Sequence, residues 1–171
     1  MIDRQIKRDD VGIEGIPYLL IIISIVLAIT IPVIYSTWSY YDTQSTIEEA
    51  NQETAYIGQR AEQLFIRGEG NADTIDVTLS GGLFADIEYI EIGGEHSDII
   101  EWKIDSDNRG RYILPDNMYL IPYEEDGFGN LERLDEMLLT RTRYTLRLTC
   151  VVGDLDEVED GKTRYIRVEK I

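Results

Sequence analysis

Residues 15–41 carry no charge, in a chain of 171 residues that holds 33 Asp and Glu. The densest part, residues 16–35, reads IPYLLIIISIVLAITIPVIY. A helix rises about 1.5 Å per residue, so this stretch spans roughly the ~30 Å hydrocarbon core of a bilayer. It is apolar on every face, and such a helix has to be covered all round. The rest of the chain is too polar to be expected to offer a soluble core large enough to hide it. A cleaved secretory signal has a shorter apolar region, about 7–15 residues, and small residues at the cut. Here the run continues into VIYSTWSYY, where bulky aromatics stand instead. The segment is therefore expected to be retained as a membrane helix. Trp38, Tyr40 and Tyr41 read as an interfacial aromatic belt. Arg4, Lys7 and Arg8 precede the run, and no Lys or Arg follows until Arg60. The positive-inside rule then predicts a cytoplasmic N-terminal side and puts residues after about 42 outside.

Only 16 residues are basic, so the formal net charge is −17. That balance repels phosphates and argues against a nucleic-acid partner. It suits a solvated surface, and only 4 of the 16 basic residues are Lys. Cys150 is the sole cysteine, which excludes an intrachain disulfide. It sits in an apolar stretch and reads as a small buried hydrophobe. His96 is the sole histidine and lies in the polar turn GGEHSD.

The flank of the apolar run is unusual. Lys7 and Arg8 are followed by Asp9 and Asp10, then by Val11, Gly12 and Ile13, and Glu14 stands at the lip of the run. This arrangement resembles type IV pilin-like proteins, specifically the archaeal group with short class III signal peptides that includes pilins and archaellum-type subunits. The resemblance covers residues 4–40 best. It implies a short basic leader, residues 1–12, processed by a prepilin-type peptidase at Lys7, Arg8, Asp9, Asp10 and Gly12. A cut between Asp9 and Asp10 makes Glu14 the fifth mature residue, and a cut after Gly12 makes it the second. The resemblance further implies that residues 13–41 form the filament core by self-association, driven by the pilus assembly machinery. In that core Glu14 would neutralise a neighbouring subunit's new amine, because a buried carboxylate is costly unless paired. The simpler reading of Glu14 is a charge at a helix start, favoured by the macrodipole. Pro17 is expected in the first turn, where its missing N–H costs nothing. Pro32 is expected to kink or loosen the helix, and the resemblance links that loosening to filament packing.

Beyond the run, Ile47, Ala50, Thr54, Ile57, Ala61 and Leu64 recur at steps of three and four, one stripe of an amphipathic helix. Residues 42–68 are thus predicted to continue the helix, with Gly68 and Gly70 ending it. Ser45 with Glu48 either caps a helix or sits on a continuing one. The stripe is expected to lie against a folded head, the alternative being a free coiled-coil stalk. Residues 69–171 change period. TIDVTLSGG, ADIEYIEIGGE, DIIEWKID, RYILP, RTRYTLRLTCVVGD and TRYIRVEK alternate apolar and polar residues between Gly-Gly, Asp-Asn and Gly-Asp breaks. These predict short strands in an antiparallel extracellular head, β-sandwich-like or a small barrel-like sheet, making the chain α+β. NLERLDEMLL, with Leu131, Leu134, Met137 and Leu138 on one face, is expected to be helical.

The head offers little chemistry. Asp105, Asp107, Gly110 and Asp116 are spaced somewhat like a calcium loop, but Arg109 stands where an oxygen ligand belongs, and a hairpin turn accounts for them better. Asp154, Asp156, Glu157, Glu159 and Asp160 read as a hydrated loop. No Gly-rich stretch continues into Lys-Ser/Thr, and no Asn-x-Ser/Thr acceptor occurs. No catalytic, metal or cofactor site is expected. The sequence points to a non-enzymatic envelope protein: a major or minor subunit of an archaeal type IV pilus-like surface filament, an accessory archaellum or pseudopilin-like component, or a single-pass anchored β-domain that binds an envelope partner without polymerising.

Overall fold

The structure, a computed structural model, describes residues 11–94, 96–105, 107–140, 143–154 and 162–171, with backbone alone for 11–16, 154 and 162. The architecture is α+β: one long helix with an apolar N-terminal part, followed by β-sheets. The chain divides into two units, Met1–Tyr40 and Tyr41–Ile171.

Helix α1 runs over Val11–Arg67. It passes through Ser45 without a break, so Ser45 and Glu48 are residues of a continuing helix and not a cap. Its end is local chemistry. Gly68 takes a positive φ of 93°, and its N–H reaches the Leu64 carbonyl at 3.0 Å. The Asn71 side-chain amide then donates to the carbonyls of Arg67 (3.2 Å) and Gly68 (3.0 Å), satisfying groups the helix leaves open.

Among the described residues the second unit holds nine strands: β1 Ala72–Thr78, β2 Ile87–Gly93, β3 Ile99–Ile104, β4 Arg109–Ile113, β5 Leu120–Glu125, β6 Leu131–Arg133, β7 Glu136–Leu139, β8 Arg143–Asp154 and β9 Lys162–Lys170. They form a sheet of order β1-β8-β9-β5-β6 and a sheet of order β4-β3-β2-β7. The apolar positions of both sheets meet in one core with the helix stripe. Ala50, Ile57, Ala61 and Leu64 are buried there with Ile90, Ile100, Leu146, Leu148, Ile166 and Val168, and Ile47 packs at the margin. Thr54 is buried on the same stripe, its hydroxyl donating to the Ala50 carbonyl at 2.8 Å. The helix approaches β3 and β4 closely: Trp102 Nε1 donates to Asn51 Oδ1 (3.0 Å), and Tyr112 Oη donates to Glu62 Oε1 (2.7 Å). A Cβ at Gly58 would run into the Tyr112 ring, so glycine permits this packing distance. Burial and the bond to Glu62 push the Tyr112 phenol up to about 12.

Three expectations change. Residues 131–139 are not helical. They form β6, which pairs with β5, and β7, which pairs with β2 in the other sheet. The helical spacing of the four apolar residues yields to a strand pattern in which Met137 and Leu139 point inward while Leu138 stays exposed. The ladders are not all antiparallel, because β5 runs parallel to β9, Leu120 opposite Ile166 and Pro122 opposite Val168. Strand β5, with the sequence LIPYEE, is not among the strands expected from the sequence, and it carries Pro122, a residue usually kept out of inner strands. The Pro122 carbonyl accepts the Leu134 N–H at 2.9 Å just where β6 ends, so its missing donor falls beyond the ladder. Finally, Pro17 stands inside α1 and not in its first turn.

Candidate functional site: the apolar half of the helix and its junction with the head

In the first unit every large apolar side chain of α1 from Tyr18 onward is exposed, from 44% at Ile23 to 71% at Tyr18. No face is spared, so within this unit the helix has no side that packs on protein. Burying one Leu or Ile side chain contributes about 1.5–3 kcal/mol, and the run presents more than ten large apolar side chains. Two of its hydroxyls bond back onto the helix: Ser24 Oγ donates to the Leu20 carbonyl and Thr37 Oγ1 to the Val33 carbonyl, both at 2.8 Å. That is how hydroxyls are accommodated where no water is available. Pro32 removes the amide that would reach the Ala28 carbonyl, and Pro17 the one that would reach Ile13. Among the described residues α1 is the one helix long and apolar enough to cross a membrane.

Of the residues expected to act in processing, Lys7, Arg8, Asp9 and Asp10 lie outside the described residues. Gly12 and Glu14 lie on the backbone of the first turns of α1, and Pro32 lies well inside it. Trp38, Tyr40 and Tyr41 follow with 64%, 63% and 67% exposure.

At Tyr41 the second unit begins, and a feature missed in the sequence follows at once. Asp42 accepts three consecutive backbone N–H groups of the β1–β2 connection: Leu83 (3.0 Å), Phe84 (2.6 Å) and Ala85 (3.1 Å). These bonds hold its carboxyl below the usual carboxylate range, the Phe84 N–H contributing most. One turn on, Thr46 Oγ1 is within 3.1 Å of the Ala85 carbonyl and 3.0 Å of the Asp42 carbonyl. Glu49 Oε1 then accepts from both Ser80 N–H (2.7 Å) and Ser80 Oγ (2.6 Å). Glu53 faces the Thr78 backbone, and burial followed by the Glu49 charge raises its pKa. Asp42, Thr46, Glu49 and Glu53 are spaced by four, three and four, a second helical stripe beside the apolar one. The spacing was legible; its role was not, because acidic residues on a helix ordinarily face water.

The proposed calcium ligands do not converge. Asp105 and Asp107 lie in the β3–β4 turn, where Asp107 has a φ of 62° and its N–H bonds the Ile104 carbonyl at 3.1 Å. Asp116 lies past the far end of β4, in a turn closed by Met118 N–H to Pro115 O at 3.1 Å. The acidic loop 155–160 lies outside the described residues. Among the described residues no three His, Cys, Asp or Glu side chains are grouped to hold a metal ion. Cys150 is buried, and burial pushes its thiol up, away from the reactive thiolate.

No family model, no curated protein and no solved structure matches this chain.

Proposed function

We propose that the chain is a non-enzymatic, type IV pilin-like subunit of a cell-surface filament. It is anchored first in the membrane by residues 13–41 and then packed with its copies through the same helix. The head lies outside the cell, and the N-terminal side is cytoplasmic. A prepilin-type peptidase trims the leader and a pilus assembly machinery extracts the subunit. The head is read as a β-sandwich whose two sheets close over the helix stripe around Ile57. One observation carries this reading: an uninterrupted helix exposes apolar side chains on all faces across a bilayer's thickness, with Ser24 and Thr37 bonded to its own carbonyls. Lipid covers such a surface before assembly, and sister helices cover it afterwards. The residue before the first candidate cut is Asp9, where the resembling proteins usually carry Gly or Ala. That favours, as a second reading, an uncleaved single-pass anchor for an envelope-binding head.

Glu14→Gln tests the two. It keeps size and removes charge. In the filament reading the variant inserts and is processed, and its recovery in sheared surface fractions falls at least several-fold. Equal recovery from both proteins overturns the pairing of Glu14 with a neighbouring amine. Mass spectrometry of the same fractions shows whether the first nine or twelve residues are gone, and an intact start in assembled material overturns cleavage.

A further inference from the structure

The connection between β1 and β2 exposes Leu83 and Phe84 while the backbone N–H groups of residues 82–85 are all hydrogen-bonded. Leu79 and Ala85 point inward with 2% and 1% exposure, but Leu83 is 88% and Phe84 37% exposed. Isolated exposed leucines are ordinary on protein surfaces. What sets Leu83 apart is its tether. The amides of residues 83–85 are all bonded to the carboxylate of Asp42, the residue that directly follows the uncharged run. The tip of this loop is therefore within a hydrogen bond of the chain's exit from the run, however the head turns about that point. The loop is also uncharged throughout residues 77–85. A backbone can approach hydrocarbon only when its donors are satisfied, and here one carboxylate satisfies three in a row. Asp42 itself needs no deep burial. The headgroup zones add roughly 5–8 Å on each side of the hydrocarbon core, wide enough for a charged residue next to the span.

We propose that the 80–85 loop is a second membrane contact, inserting Leu83 and Phe84 into the interfacial layer of the leaflet from which the helix emerges. This rests on the membrane reading of residues 13–41. The occupant is the lipid surface, and a zwitterionic one fits best, because a chain of net charge −17 is repelled by anionic headgroups. The contact pins the head near the membrane before assembly, and it must be given up when the subunit leaves the bilayer.

The test uses the full chain in phosphatidylcholine vesicles, with a nitroxide on Leu83→Cys in a Cys150→Ala background. Ile25→Cys and Phe128→Cys serve as references; Phe128 is 93% exposed in the β5–β6 turn. Collision with oxygen relative to a water-soluble nickel chelate reports depth. The ratio at 83 is expected between the high value at 25 and the low value at 128. A ratio at 83 equal to that at 128, with 25 in lipid, overturns the loop contact alone. A label at 25 that is water-accessible overturns both the loop contact and the membrane reading. Line broadening at 83 that vanishes on dilution with unlabelled chain means that a second copy covers the loop, and it too overturns the proposal. Radical footprinting of the unsubstituted chain in the same vesicles is independent of the cysteine variants. Leu83, 88% exposed in the chain alone, should be modified less than Leu138, 44% exposed, and modification of Leu83 above that of Leu138 overturns the proposal.

Discussion

Two stretches of α1 share a backbone conformation and have opposite surfaces. From Tyr18 to Tyr41 the large apolar side chains are exposed on every face. From Thr46 to Leu64 a single stripe, Thr46, Ala50, Thr54, Ile57, Ala61 and Leu64, is buried to 2% or less. In the second stretch the apolar residues number only what one face can hold, and the sheets of the same chain cover them. In the first they occupy all faces, and the unit that holds them covers none of them. Helix formation is therefore common to both, and the angular distribution of apolar residues decides whether the partner lies in the chain or outside it.

That contrast can be broken most sharply by truncating one residue in each stretch. Ile57→Ala should cost the head about 2–5 kcal/mol, as expected for a large-to-small change in a closed core. Ile25→Ala should leave the head's melting within about 0.5 kcal/mol of the parent protein. Near-ultraviolet circular dichroism of the full chain in detergent measures both. Equal losses from the two would mean that the exposed stretch also supports the head's fold.

A smaller effect belongs to the junction. Because the folded pKa of Asp42 is depressed, the stability it contributes is present above the ordinary carboxylate value, about 3.9, and is lost as pH falls through the lower folded value. Asp42→Asn should lower the melting temperature at neutral pH and flatten its acid dependence below about pH 4. An unchanged acid slope would show that the three amide bonds do not hold the loop in solution.

The smallest effect, of opposite sign, is expected at Glu53. Its folded pKa is raised by burial and by Glu49, so ionisation above that pKa works against the fold. Glu53→Gln retains an acceptor for the Thr78 backbone and should stabilise the head at neutral pH by less than about 1 kcal/mol, given partial solvent screening. The gain should fade as pH falls through the raised folded pKa and be gone below about 4.3, the ordinary glutamate value. A variant less stable than the parent at pH 7 would show that Glu53 has a cation partner there.

The sequence by itself determined the parts of this protein whose bonds are local. Helical hydrogen bonds span four residues, so the uncharged run, the stripe through Ile57 and the stop at Gly68 can all be read from composition and spacing within one or two turns. Six strands with alternation, β1, β2, β3, β4, β8 and β9, are legible for a similar reason, since alternation reports a half-buried face without naming the neighbour. Tertiary structure decided what depends on that neighbour. Residues 131–139 carry apolar spacing that suits a helix, and they become strands because the edges of β5 and β2 offer hydrogen bonds that no local window contains. Strand β5 tolerates Pro122 because β6 stops beside it, and it lies parallel to β9 because Leu120 meets Ile166 far along the chain. The stripe of Asp42, Thr46, Glu49 and Glu53 looks like a solvated face until the β1–β2 connection folds back with unpaired amides for it to accept. A carboxylate's role is set by the donors within about 3 Å of it, and those donors come from chain about thirty to forty residues away.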